Sequence, residues 1–214
     1  TDADFADVDA GILADGIPAH TYGNVRPGDI KYKDLNNDNR IDDLDRTAIK
    51  GTLDPQLVYG LGLNIQYQNL DFGAMLQGNG KTYNMLDRNI IPGSGNGAKG
   101  NIFSNVNDRW TAENTSHDAF YPRLSLGLNT NNSQESTWWL KDMSMLRVKN
   151  IEVGYSIPQK IISQALLSKV RVFFRGANLF TFSRFKLWDP EIKEPQGGQY
   201  PIMKSLSFGI EIGF

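Results

Sequence analysis

The sequence predicts an all-β fold of antiparallel up-and-down strands, and three observations carry that reading. Residues 57–68 alternate large apolar with small or polar side chains, and residues 206–214 repeat the pattern. A period of two places the apolar groups on one face of a strand. The stretches between these runs are rich in Gly, Asn, Ser and Pro, which punctuate chains at turns. No run of about 18 apolar residues offers a membrane-spanning helix. The apolar face would point inward in a sandwich and toward lipid in a membrane barrel, whose opposite face lines a lumen.

Composition excludes several classes. The 22 basic and 24 acidic residues nearly cancel, which argues against nucleic acid as a partner. Cysteine is absent, so disulfide frameworks and thiolate metal sites are excluded. The mean hydropathy of −0.40 is compatible with a membrane barrel, because alternating strands average to polar. The chain opens at Thr1 into a polar, Asp-rich stretch, as a mature terminus or an internal cut would.

Residues 1–29 read as irregular, broken by Gly11, Gly16, Pro18, Gly23, Pro27 and Gly28. A short strand is expected at Ile30–Lys33. Residues 34–45 then follow the twelve-residue calcium-loop spacing. Asp34, Asn36, Asp38, Asp42 and Asp45 offer side-chain oxygens at positions 1, 3, 5, 9 and 12, and Arg40 a backbone carbonyl at position 7. A hard cation needs six or more such oxygens. Asn39 stands where Gly is usual, and Asn tolerates the left-handed backbone required there. Asp45 replaces the usual Glu. The expected cofactor is therefore a structural calcium, the alternative being a solvated Asn/Asp turn.

Leu57, Tyr59, Leu61, Leu63, Ile65 and Tyr67 share one face of the first long strand. Such a strand can cross a bilayer at a tilt, which takes roughly 9–11 residues. A tight turn at Gln68-Asn69 leads to a strand over Leu70–Gly78, with Leu70, Phe72, Ala74 and Leu76 on one face. The connection 79–144 is far longer than ordinary loops, which marks it as functional or disordered. A third strand spans Met145–Ser156 and ends before Pro158; Ile151, Val153 and Tyr155 share a face. Residues 159–167 carry apolar groups at helical spacing. A fourth strand covers Lys169–Phe182, where adjacent Phe173 and Phe174 leave the facing ambiguous and suggest a bulge. A polar loop, 183–201, precedes the last strand. Short links at one rim and long ones at the other are the pattern of outer-membrane barrels. Aromatic residues near strand ends suit interfacial girdles.

No catalytic machinery is legible. His20 and His117 stand in no zinc pattern, and no nucleophile elbow, phosphate loop or dinucleotide fingerprint is present. Carboxylate pairs such as Asp189/Glu191 and Glu113/Asp118 are expected by chance among this many acids. The chain is therefore expected not to be an enzyme.

Six blocks in order carry a family resemblance: RPGDIKYKDLNNDNRIDDLDR, LVYGLGLNIQYQNLDFGAMLQG, DRW with YPRL, WWLKDMSMLRVKNIEVGYSIP, RVFFRGANLFTFSRFKLWDPE and SFGIEIGF. They span nearly everything from Pro27 to Phe214 and resemble the C-terminal end of SusC/RagA-like TonB-dependent outer-membrane transporters. The terminal residues Ser207, Gly209, Ile212 and Phe214 also look like the signal read by barrel-assembly machinery, with Ile212 where an aromatic is more usual. The resemblance implies a barrel of about 22 strands with long extracellular loops, 79–144 among them. Residues 1–214 would hold its last five or six strands, the plug domain being absent. It implies active import of oligosaccharides or peptides across the outer membrane of a Gram-negative bacterium of the Bacteroidetes. The implied partners are a SusD-like surface lipoprotein, the TonB complex acting through the missing plug region, the remaining barrel chain, outer-membrane lipid and the glycan or peptide substrate. Trp110, Trp138, Trp139 and Trp188 are candidate contacts to substrate or lid, and Asn64, Gln66, Asp71, Gln77 and Glu211 candidate channel lining. The competing expectation is a soluble, secreted, calcium-stabilised β module that binds glycans. It requires the odd-numbered face of 57–67 to be sealed against a second sheet.

Overall fold

The computed structural model describes residues 17–49, 51–87, 90, 102–163 and 167–214. The expectations for residues 1–16, for the Gly-rich run 91–101 and for 164–166 of the helical link lie outside the described residues. The chain divides into two compact units, one of Thr1–Lys50 and Met85–Lys141, the other of Gly51–Asn84 and Asp142–Phe214. The elements in order are β1 (Ala19–His20), β2 (Arg40–Ile41), β3 (Leu57–Tyr67), β4 (Leu70–Gly80), β5 (Tyr83–Met85), β6 (Leu140–Asp142), β7 (Met145–Ser156), α1 (Gln159–Ile162), β8 (Lys169–Ser183) and β9 (Ser205–Gly213).

The second unit is one antiparallel sheet in the order β3-β4-β7-β8-β9. Period-two patterning wrote four of these strands almost to the residue. Gln68, at φ 53°, makes the tight turn from β3 to β4. Neighbours in sequence pair in space wherever the link is short, and the long links fall at the opposite rim. The all-β, up-and-down expectation holds.

The register resolves the facing of the fourth strand, which the sequence leaves open, and places its bulge away from the two phenylalanines. Phe173 and Phe174 alternate regularly, opposite Gly154 and Val153. The irregularity lies further along, where Lys149 of β7 is skipped by β4 and two residues of β8, Asn178 and Leu179, pass Lys149. Asn178 takes a left-handed φ of 53°, which Asn tolerates better than other residues. These bulges reset the phase of the strands. With them, the register puts Leu146, Val148, Ile151, Val153 and Tyr155 of β7 on the same face as Val172, Phe174, Phe180 and Phe182 of β8. Ile210 and Phe208 of β9, and the odd-numbered face of β3, join them. One whole side of the sheet is apolar.

That side is open. Leu61 is 65% and Ile65 52% exposed, and no second sheet covers them among the described residues. The sealed face that a soluble module requires is not found. Each large apolar group left in water costs about 1.5–3 kcal/mol relative to apolar surroundings, so the face calls for a non-aqueous environment.

The first unit is held together differently. The expected strand Ile30–Lys33 does not form. Ile30 donates its N–H to Asn132 Oδ1 (2.9 Å) and its carbonyl accepts from Asn131 Nδ2 (2.9 Å). Asparagine side chains stand where a neighbouring strand would, so the segment is extended but unpaired. The connection 79–144 is likewise no bare loop: Ala119, Tyr121, Asn131, Asn132 and Trp139 are all buried. Strands β5 and β6 lie where the chain passes between the units.

Candidate functional site

In the second unit, the face opposite the apolar one is polar and partly bare. Asn64, Gln66, Asp71, Gln77 and Glu211, the candidate channel lining, all fall on it by register. Gly60, Gly62 and Gly73 flatten its β3–β4 portion, and nothing lies within 4 Å of a Cβ built at Gly62. Across β4, β7 and β8 runs a charge ladder. Arg171 Nε donates to Asp71 Oδ1 (3.0 Å) and Arg171 Nη2 to Glu152 Oε1 (2.6 Å), while Arg175 Nε donates to Glu152 Oε2 (2.6 Å). Both guanidinium groups lie over the Phe173 ring, at 5.2 and 5.5 Å from its centroid. Lys169 and Glu211 close a further pair between β8 and β9 at 2.8 Å. No local spacing announces this ladder, because its partners are up to 100 positions apart.

The connection from β8 to β9 is tied back onto this unit. Arg147, 2% exposed in its side chain, binds Asp189 (2.6 Å) and Glu191 (3.3 Å). Asn84 Nδ2 donates to the Lys193 carbonyl at 3.0 Å. Trp188 packs edge-on against Phe185 and covers Gly197. The pair Asp189/Glu191, weighed as a carboxylate dyad, is thus engaged by a buried arginine.

The first unit centres on Asp29. Its side chain is fully buried, and both oxygens are satisfied. Oδ1 accepts from Asn129 and Asn132, and Oδ2 from the Arg26 amide and Arg123. His20 Nδ1 meets Asn131 Oδ1 at 2.9 Å, and burial holds its pKa below the usual imidazole value. Trp139, 1% exposed, donates its indole N–H to the Asn132 carbonyl, and Trp138 donates to the Phe120 carbonyl. Trp110 lies over Gly28. Trp139 therefore presents no surface to a ligand, while Trp110 and Trp138 are half-buried.

The acidic loop folds on its own backbone. Asp34 accepts from the amides of Asn37 and Asn39, Asp38 from Arg40, Asp42 from Leu44, and Asp45 from Leu35 and Asp42. Asn37 and Asn39 adopt φ of 60° and 61°. Asn36 donates to Asp38 at 2.9 Å. Among the described residues, no three His, Cys, Asp or Glu side chains gather as a metal-holding group. The donor set is nevertheless all oxygen and suits a hard cation.

Beside this loop, within the same unit, lies a cavity of about 560 Å³. Tyr22 and Tyr32 meet there edge to face, at 6.3 Å and 85°. Burial raises the pKa of both phenols, which stay neutral. Arg46 joins Asp43 (2.9 Å) and Gln134 (3.0 Å) at the rim.

No protein-family model matches the chain. It is 30% identical over 201 residues to TonB-dependent receptor P26 of Formosa agariphila, covering 87% of this chain and 20% of that protein. It is 28% identical over 193 residues to TonB-dependent receptor SusC of Bacteroides thetaiotaomicron, covering 89% of this chain and 18% of SusC. The chain thus spans about a fifth of the length of the curated relatives it matches. Its fold matches the RagAB peptide importer in the 'closed-closed' state with a TM-score of 0.65 and 24% identity, over 82% of this chain and 19% of that one. A second RagAB structure, of the peptide transporter, gives 0.58 and 22%, over 79% and 19%. With one side of its sheet apolar and the other charged, and with these relatives, the chain is a barrel portion of a SusC/RagA-like TonB-dependent outer-membrane transporter.

Proposed function

We propose that the chain forms part of the wall and loops of an active importer in the outer membrane of a Gram-negative bacterium. The observation that carries the reading is the two-sided sheet, apolar on one side from β3 to β9 and polar on the other. Among the described residues the sheet ends in unpaired edges at β3 and β9, which lipid does not tolerate, so further strands of the same barrel close it. The importer draws on TonB through a plug contributed by other residues and works with a SusD-like lipoprotein. Its cargo is an oligosaccharide or a peptide, carried by binding and gated passage without bond chemistry. The names of the relatives support this reading.

Single cysteines test it, since this chain has none of its own. A Leu63→Cys variant of the whole transporter, in native membranes, should react with a lipid-soluble maleimide and resist a charged one. Asn64→Cys should do the reverse. Equal labelling of both by the charged reagent would remove the lipid-facing assignment.

Calcium in the loop 34–45 belongs to the same proposal, with a structural role. Asp34, Asn36, Asp38, Asp42, Asp45 and the Arg40 carbonyl would hold it. The spacing, the all-oxygen set and the left-handed Asn37 and Asn39 support it. Chelation should lower the melting midpoint of the purified protein, and an Asp34→Asn variant should lose that response.

A further inference from the structure

We propose that the apolar side of the sheet, at the β8–β9 rim, is a docking surface for a phosphorylated lipid of the outer leaflet, held by Arg184, Lys186 and Lys204. This rests on the importer reading, which puts the rim with the long links outside the cell. Lys204 immediately precedes β9, and its amine lies 5.8 Å from the centre of the Phe180 ring. Phe180 and Phe182 belong to the apolar side by register, so the ammonium stands on that side too. Arg184 follows the last residue of β8, and Lys186 comes two positions later; both are exposed.

These cations have no counter-charge. Among the described residues, no carboxylate pairs with Arg184, Lys186 or Lys204. The acids of this rim are engaged elsewhere: Asp189 and Glu191 bind Arg147, Asp54 binds Lys193, and Glu194 is half-buried beside Gly198. The opposite rim of the same sheet differs, with Lys169 closed onto Glu211.

The surroundings are apolar where a loop in water would be polar. Tyr200 is 91% and Met203 73% exposed, both outside any strand. Asn178 Nδ2 donates to the Met203 carbonyl at 3.2 Å and ties this segment to β8. An exposed apolar segment beside unpaired cations matches a boundary with hydrocarbon on one side and anions on the other. A free anion would leave Tyr200, Met203 and Phe182 in water, and a neutral lipid would leave the three cations without a partner. A phosphate on an acyl lipid answers both. The planar fork of Arg184 can meet it with two parallel hydrogen bonds, and the long stem of Lys204 can lie on apolar surface with its charge in the polar layer.

The test uses the full-length transporter in detergent, with bound lipid read by native mass spectrometry. Monophosphorylated lipid A should bind, and its dephosphorylated form should bind about tenfold or more weakly, a difference of about 1.4 kcal/mol. The triple variant Arg184→Gln/Lys186→Gln/Lys204→Gln should lose the same factor for the phosphorylated lipid. Lys160→Gln, exposed at the opposite rim, should match the parent. Heat-modifiable migration on gels reports whether each variant still forms a barrel. If the triple variant fails that check, Lys204→Gln takes its place with an expected loss of about threefold. Equal binding of the two lipids by an intact barrel overturns the surface, and so does unchanged binding by the variant. Displacement of the lipid by equimolar inorganic phosphate overturns it in favour of a free-anion site. A dimer that forms in the parent and is lost in the variant overturns it in favour of a second copy on this face. Loss of barrel behaviour in the parent protein would instead strike the importer reading, so the two failures are distinguishable.

Discussion

Arg171 reaches Asp71 two strands away by lying over the bare backbone of Gly154. A Cβ at Gly154 would stand 2.4 Å from Arg171 Nη2 and 2.5 Å from Asp71 Oδ1. The glycine is the gap that lets the guanidinium join β8 to β4 across β7. A Gly154→Val substitution should displace the bridge and destabilise the barrel by about 1–3 kcal/mol, read as a lower midpoint for loss of heat-modifiable migration. Gly62→Ala is the control. Its Cβ meets nothing, so the change should be neutral or gain about 0.5–1 kcal/mol.

The apolar side of the sheet sets a directional rule for charge. Leu63→Arg should hinder assembly at a cost of about 2–4 kcal/mol if it falls near mid-membrane. Asn64→Arg, one residue on and facing the other way, should be tolerated. The amount of folded protein recovered in outer-membrane fractions measures both, and equal recovery would contradict the rule.

Arg147 should act as the tie of the β8–β9 connection. Replacing it with Met leaves Asp189 and Glu191 facing a buried space with no counter-charge, and breaking such a pair costs about 3–5 kcal/mol. Proteinase K should then cut faster near Gly197 and Gly198, where the chain turns at the surface. Adding Asp189→Asn and Glu191→Gln should slow the cutting again, because no charge is stranded.

The Asp45 carboxyl is held below its ordinary pKa by the amides of Asp42 and Leu35. A depressed carboxyl favours the folded loop above the unfolded value, about 3.9, and the benefit fades as pH falls through the folded value. Protection of the Leu35 and Asp42 amides, taken relative to their intrinsic exchange rates, should therefore hold at pH 5 and fall away below about pH 4. Asp45→Asn should lower that protection at pH 5 and above and make no difference once the parent carboxyl is protonated.

The strands of the sheet were legible because a lipid-facing strand must alternate. Leu57–Tyr67 shows the rule with no help from tertiary structure. The segment Ile30–Lys33 shows its limit, since it alternates too. Its backbone is completed by Asn131 and Asn132, about 100 positions away. Those asparagines sit in a run, NTNNSQEST, whose composition reads as a solvated loop. Both are 1% exposed. Composition cannot separate an asparagine that faces water from one that replaces a strand. The bulges were hidden for a related reason: two adjacent phenylalanines drew attention to 173–174, whereas the extra residues are Lys149, Asn178 and Leu179. The cavity rests on rings and hydroxyls brought together from separate stretches of sequence, and no spacing announces such a meeting.

Lys149 occupies a position where the ribbon carries one more unit than its β4 neighbour requires. Deleting it would do more than shorten a strand. Everything from Met145 to Val148 would rotate by half a turn, sending Arg147 out among acyl chains and folding Leu146 and Val148 into water. A single surplus lysine thus decides which way a third of that strand looks.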